Sequence, residues 1–227
     1  MKIVIWVFVT ISLIVIILYG SSFPFSQIFG KVVYEGDRQT KNIALTFDDG
    51  PSEYTITVLD LLKKEKVKAT FFIIGKNVEE NEDILKRIHS EGHDIGIHSY
   101  THPVMPFISN KRIDKEIKDT KDLLKQTVDM DVVYFRPPYG IRDWRVIGSA
   151  RKHGLRTVTW THIAPDYKVQ DSERIAQGVI HSFRNGAIIT MHDGGGNRQA
   201  TVNALPLIIK EAQNQGYQLV SLTELLS

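Results

Sequence analysis

The 227-residue sequence contains no cysteine. Thiolate metal ligands and disulfide staples are therefore excluded, and any metal must be held by nitrogen and oxygen. A dominant charge is also missing: 28 Lys and Arg stand against 26 Asp and Glu, a net charge of +2. The two signs are interspersed, as on ordinary solvated faces, which argues against nucleic acid as a partner. No internal repeat or low-complexity tract is visible. The length suffices for one domain with a full core plus a short additional piece, expected to act as a monomer.

One long apolar run is present. Ile3 to Tyr19 carries no charge, and only Thr10 and Ser12 interrupt it. Its length matches the lower end of a bilayer span, and Lys2 before it predicts an N-inside orientation with the rest outside. A retained membrane anchor over residues 1–20 is the favoured reading. A signal peptide cleaved near Gly20-Ser21-Ser22 competes with it. The first places the protein at the cell membrane as a single-pass chain with its catalytic part outside. The second makes it secreted.

Residues 21–38 mix Gly, Ser, Pro and aromatics without a period and read as a linker, with a short strand at Lys31–Tyr34. Residues 39–227 are regular. Strand-like runs occur at Ile43–Phe47, Ala69–Ile74, Asp94–Ile97, Val132–Phe135, Leu155–Trp160, Ala187–Met191 and Tyr217–Leu222. Helical periods lie between most of them. Ile113, Ile117, Thr120 and Leu124 share one helical face that starts at Ser109 or Asn110, and Asp171-Ser172 opens another helix that stops near Asn185-Gly186. Alternating strands and helices predict an α/β fold with a mostly parallel sheet. Polar motifs follow the C-terminal ends of several different strands, which favours a barrel of about seven strands over an open doubly wound sheet.

Those motifs carry chemistry. Asp48 and Asp49 end the first run, where one carboxylate can ligate a cation while the other stays free as a base. A solvated Asp-Asp-Gly turn is the alternative. His98 and His102 sit in a turn closed by Pro103; two imidazoles and a carboxylate suit zinc, and also iron or cobalt. Pro137-Pro138 stiffen the loop after Arg136, whose guanidinium near Asp48 would keep that carboxylate ionised. Tyr139 can offer its backbone N–H to an oxyanion. His192 ends a strongly apolar run, and Asp166 can fix its tautomer. Taken singly, Arg136 also reads as a surface residue and His192 as a core histidine.

In order along the chain, Thr46-Phe47-Asp48-Asp49-Gly50, His98-Ser99-Tyr100-Thr101-His102, Arg136-Pro137-Pro138-Tyr139-Gly140, Asp166-Tyr167 and His192-Asp193 resemble the motif set of the polysaccharide deacetylase family. This is the NodB homology domain, carbohydrate esterase family 4. The likeness runs from about Ile43 to Leu226. It implies a distorted (β/α) barrel and metal-assisted removal of N-acetyl groups from a sugar polymer. Carried over by position, Asp49, His98 and His102 ligate a divalent metal, zinc first, with cobalt or another divalent ion as the alternative. Asp48 is the base, oriented by Arg136; Tyr139 helps bind the oxyanion; Asp166 tunes His192, the acid. Three positions depart from the family pattern. Ile163 stands where an aspartate is usual, Tyr167 where a tryptophan is usual, and Thr190 replaces a leucine that lines the acetyl-methyl pocket. Tyr167 and Thr190 are thus expected to touch substrate. An exported domain beside the membrane points to peptidoglycan first, and to chitin oligosaccharide or poly-N-acetylglucosamine second. A small-amide amidohydrolase and a non-catalytic glycan-binding protein are the other classes compatible with the motifs.

Overall fold

The computed structural model describes residues 2–227. Eight parallel-paired strands form one sheet: β1 (Asn42–Asp48), β2 (Thr70–Ile73), β3 (Asp94–Ile97), β4 (Tyr134–Phe135), β5 (Arg156–Thr157), β6 (His162–Ile163), β7 (Ala187–His192) and β8 (Gln218–Val220). Seven follow the order β5-β4-β3-β2-β1-β7-β6, and β8 pairs with Asn42–Ala44 at the start of β1. The end strands β5 and β6 are not paired with each other, so the sheet is a half-barrel and not a closed ring. The expected parallel α/β architecture is present, while His162–Ile163 adds a strand that the sequence pattern hides.

Period-two alternation gives β1 its two faces. Ile43, Leu45 and Phe47 are fully buried in the large core between sheet and helices, with Phe71, Ile73, Ile189 and Met191. Each such side chain contributes about 1.5–3 kcal/mol by leaving water. Ala44, Thr46 and Asp48 alternate to the opposite face, where Ala44 packs with Phe72, Tyr134, Val158 and Ile188. Because Asp48 pairs in register with His192 and Thr46 with Thr190, the inner face rises in layers from apolar to hydroxyl to ionisable.

Six helices of nine or more residues pack on this frame: α2 (Glu53–Glu65), α3 (Glu82–Ser90), α4 (Asn110–Val128), α5 (Trp144–Lys152), α6 (Ser172–Ile180) and α7 (Gln199–Asn214); a one-turn helix, α8 (Leu222–Leu225), adds Leu222 and Leu225 to the inner cluster. Helix α4 starts as expected: the Ser109 hydroxyl accepts from the Arg112 N–H, and Ile113, Ile117, Thr120 and Leu124 form its buried face. Asp171 caps α6 through the N–H groups of Glu173 and Arg174. That helix ends at Ile180, earlier than expected, where the Ser182 hydroxyl donates to the Val179 carbonyl and begins a turn.

Residues 21–38 do not behave as a free linker. Arg142 is fully buried, and its guanidinium donates to the carbonyls of Ser21, Phe23, Pro24 and Ser26 at 2.6–3.5 Å. Thr159 Oγ1 donates to Pro24 O at 2.7 Å. The short strand expected at 31–34 is reduced to two isolated bridges, Val33 with Val158 and Glu35 with Ala187. Helix α1 (Lys2–Ser22) precedes this segment, with apolar side chains exposed from Trp6 to Tyr19. The membrane span expected over residues 1–20 falls partly on residues whose side chains lie outside the described ones. Among the described residues no helix is long and apolar enough to cross a membrane.

Candidate metal and catalytic site

The C-terminal ends of the strands open into a cleft of about 680 Å³. Asp48, Asp49, His98, His102, Tyr139, Ile163, Tyr167 and His192 line it together with Trp160, Lys76 and Arg198. Residues up to 150 positions apart in sequence thus line one cleft.

The consecutive carboxylates face different partners. Asp48, still on β1, accepts from Arg136 Nη1 at 2.7 Å. Arg136 is wholly buried; it also donates to Thr46 Oγ1 at 2.7 Å and to Thr159 O at 3.0 Å, and its guanidinium lies 4.0 Å from the Phe72 ring centre. Asp49 leaves the strand with φ 73° and turns its carboxylate toward the histidines. Its Oδ1 lies 3.6 Å from His98 Nε2 and 3.2 Å from His102 Nε2. Gly194 and Gly195 allow this turn, because a Cβ on Gly194 would collide with the Asp49 carbonyl, and one on Gly195 would come within 2.8 Å of its Oδ2.

Three observations test whether this group fits a metal ion. One ligand atom from each of Asp49, His98 and His102 lies within 4.8 Å of the others. Asp49 Oδ1 is buried and has no hydrogen-bond donor, an arrangement that is costly unless a cation balances it. His98 Nδ1 donates to the Arg136 carbonyl at 2.8 Å, so the lone pair of Nε2 points at Asp49. Burial depresses the pKa of both His98 and His102, which favours the neutral, ligating imidazole. Burial also raises the Asp49 carboxyl, with the Asp48 charge adding to it and the nearby histidines opposing it. The residues fit a divalent ion.

On the opposite wall, His192 Nδ1 donates to Asp166 Oδ1 at 2.9 Å, and the His192 backbone N–H donates to Asp166 Oδ2 at 2.8 Å. Thr201 Oγ1 adds a third bond to the fully buried Asp166. The ring is fixed with Nε2 as its free nitrogen. Burial works against the charged imidazole. The Asp166 hydrogen bond and the charges of Asp166, Asp48 and Asp49 outweigh it and hold the His192 pKa above its ordinary value.

Tyr139 sits at the rim in the left-handed region (φ 59°), its ring edge-on to His102 at 4.7 Å between centres. Tyr167 is half exposed, 6.3 Å from the His192 ring. Thr190 lies elsewhere: it is fully buried one layer beneath His192, with Oγ1 3.4 Å from Thr46 Oγ1, and does not line the cleft. The sequence reading overlooked Thr46, Trp160, Thr201 and Arg198. Arg198 Nε donates to Gly194 O at 2.6 Å and its Nη1 to Asp166 O at 3.0 Å, tying the glycine loop to the acid's partner. Only the Gly194-Gly195-Gly196 run hinted at this loop.

Comparison with known proteins agrees with this geometry. Residues 35–158 match the polysaccharide deacetylase family profile. A peptidoglycan-N-acetylglucosamine deacetylase of Bacillus cereus is 39% identical over 200 residues, covering 87% of this chain and 93% of that protein. The solved structure of a peptidoglycan N-acetylglucosamine deacetylase in complex with 4-naphthalen-1-yl-N-oxidanyl-benzamide superposes with a TM-score of 0.82 at 33% identity, over 86% of this chain and 92% of that one. A carbohydrate esterase family 4 pseudoenzyme from Bacillus anthracis gives a TM-score of 0.81 at 32% identity, over 87% and 69%. With matching motifs, fold and sequence over most of its length, the chain belongs to the polysaccharide deacetylase family, carbohydrate esterase family 4.

Proposed function

We propose that this protein is a metal-dependent hydrolase that removes N-acetyl groups from an N-acetylated glycan, with peptidoglycan as the substrate. The observation that carries the reading is the division of labour between Asp48 and Asp49. One is paired with Arg136 and free of the histidines' hydrogen bonds, while the other closes on His98 and His102. Asp49, His98 and His102 would hold a divalent ion, zinc in the first instance, which when bound would supply Lewis-acid polarisation of the acetamide carbonyl and acidify water. Asp48, held by its ion pair with Arg136, takes a proton from the attacking water. The backbone N–H of Tyr139 stabilises the oxyanion. His192, protonated on Nε2 and braced by Asp166, gives its proton to the departing amine, leaving free amine and acetate. Tyr167 flanks the bound sugar.

Release of acetate from peptidoglycan, chitooligosaccharides and poly-N-acetylglucosamine, with and without a chelator, tests the proposal. Chelator-sensitive release from peptidoglycan supports it. No release from any glycan favours the non-catalytic class to which the Bacillus anthracis neighbour belongs.

The site of action in this reading is outside the cell membrane, with α1 attached to the bilayer. Its support is Lys2 ahead of the apolar run and the exposed side chains from Trp6 to Tyr19. Fractionation of cells expressing the full chain, compared with a form starting at Ser21, checks this.

A further inference from the structure

The loop that carries both histidines is held in an unfavourable backbone path. Ser99 has φ 64° and His102 φ 60°, left-handed values that cost a side-chain-bearing residue roughly 1 kcal/mol or more each and persist only where surrounding contacts impose them. The contacts come from two sides. On one side, the carbonyls of Ser99 and Tyr100 accept from the N–H groups of Gly75 and Lys76, both at 3.0 Å. On the other, a single carboxylate collects the remaining donors. Glu116 Oε2 accepts from the N–H groups of Tyr100 at 2.9 Å and Thr101 at 2.7 Å, and its Oε1 accepts from Thr101 Oγ1 at 2.7 Å.

Glu116 projects from the core-facing side of α4, beside Ile113 and Ile117, and is only 5% exposed. Its nearest cation, Arg112, stands 3.7 Å away and is more than half exposed. A buried carboxylate so weakly paired is costly unless its hydrogen bonds are well made. Here all three go to Tyr100 and Thr101, two of the three residues between His98 and His102. A further bond of the loop, from His102 N–H to Ser99 Oγ at 3.0 Å, is internal to it.

We propose that Glu116 is a positioning residue for the metal site: it fixes the His98–His102 loop so that both Nε2 atoms face Asp49 before any ion arrives. It touches neither substrate nor ion. The inference rests on the reading of Asp49, His98 and His102 as the metal ligands. Removing an outer-shell partner of this kind typically weakens metal affinity 10- to 100-fold.

The test is zinc affinity of the full chain, measured by competition with a chromophoric chelator, for the native protein and for Glu116→Met, Glu116→Gln and Thr101→Val. The Met side chain matches the length of Glu but orphans three donors, and its zinc Kd is expected to rise at least ten-fold. Gln can present one oxygen to both N–H groups and its amide to Thr101 Oγ1, so its Kd stays within about three-fold of native. Acetate release by Glu116→Met is low at limiting zinc and recovers at saturating zinc. A Glu116→Met protein that folds and binds zinc as tightly as the native chain overturns the inference while leaving the metal reading intact. A native chain that binds no zinc overturns both. Should Glu116→Met fail to fold, Thr101→Val decides: a several-fold weaker Kd upholds the role, and an unchanged Kd rejects it.

Discussion

Arg136 and Asp48 form a 2.7 Å ion pair in which the cation is fully buried and the carboxylate nearly so. Neither member can lose its partner cheaply. Arg136→Met is expected to destabilise the fold by about 3–5 kcal/mol, because it strands a buried charge. It also lowers turnover by releasing the base from its fixed orientation. Urea unfolding midpoints and acetate release measured on the same preparation check both effects; a variant as stable as the native protein contradicts the geometry.

Asp48→Asn separates the base from the ligands. Turnover is expected to fall by roughly 10²–10⁴-fold, the usual worth of a positioned base. Bound metal remains near one equivalent, whereas His98→Ala loses it. Elemental analysis beside initial rates distinguishes the two; normal metal content in His98→Ala removes that residue from the ligand set.

His192 must be protonated to act as an acid. Since Asp166 and the surrounding carboxylates outweigh burial and raise its pKa, the protonated form persists to higher pH than for a free imidazole. Asp166→Asn deletes the supporting charge, so the alkaline limb of kcat/KM moves to lower pH. An unmoved limb in that variant means that another group sets it.

Acid stability is expected to depend on His93. Its Nδ1 accepts the Ala69 N–H at 3.2 Å and its ring packs edge-on to Phe71, so burial lowers its pKa from 6.5 to about 4. The unfolded chain takes up this proton first. Stability is thus full above pH 6.5 and falls as the pH drops toward 4, by up to about 3 kcal/mol. His93→Asn keeps an acceptor for Ala69 and cannot titrate. Denaturation midpoints at several pH values show whether its slope over this interval is the flatter one.

Arg142→Leu removes the cation on which four carbonyls of residues 21–26 converge. Cleavage within residues 20–36 by a broad-specificity protease is expected to accelerate at least ten-fold, with the barrel itself left intact. Equal digestion rates for variant and native chain count against the clamp.

The sequence discloses the parts of this fold that repeat a simple period. β1 and β7 read clearly because Ile43–Phe47 and Ala187–Met191 are nearly unbroken apolar runs, as a strand buried on both faces requires. β6 escapes because two residues, His162 and Ile163, carry no pattern at all. The motif residues declare themselves by type and by their place after strands. Their helpers do not. Glu116 shares the helical face of Ile113, Ile117 and Thr120, but its place on that face does not disclose which groups its carboxylate collects. Arg142, between Ile141 and Asp143, gives no sign that it will gather the backbone of a segment more than 110 residues earlier. Thr190 shows the converse. Its motif position suggests a substrate contact, yet strand alternation sets it beneath the floor, beside Thr46.

The Arg142 clamp has a consequence for reach. A chain tethered by a slack leash can sweep its cleft through a wide volume. A bracket bolted at Ser21, Phe23, Pro24 and Ser26 leaves no slack between the first helix and the barrel. Whatever surface grips that helix thereby sets the stand-off of the cleft, and sugars at other heights must come to it.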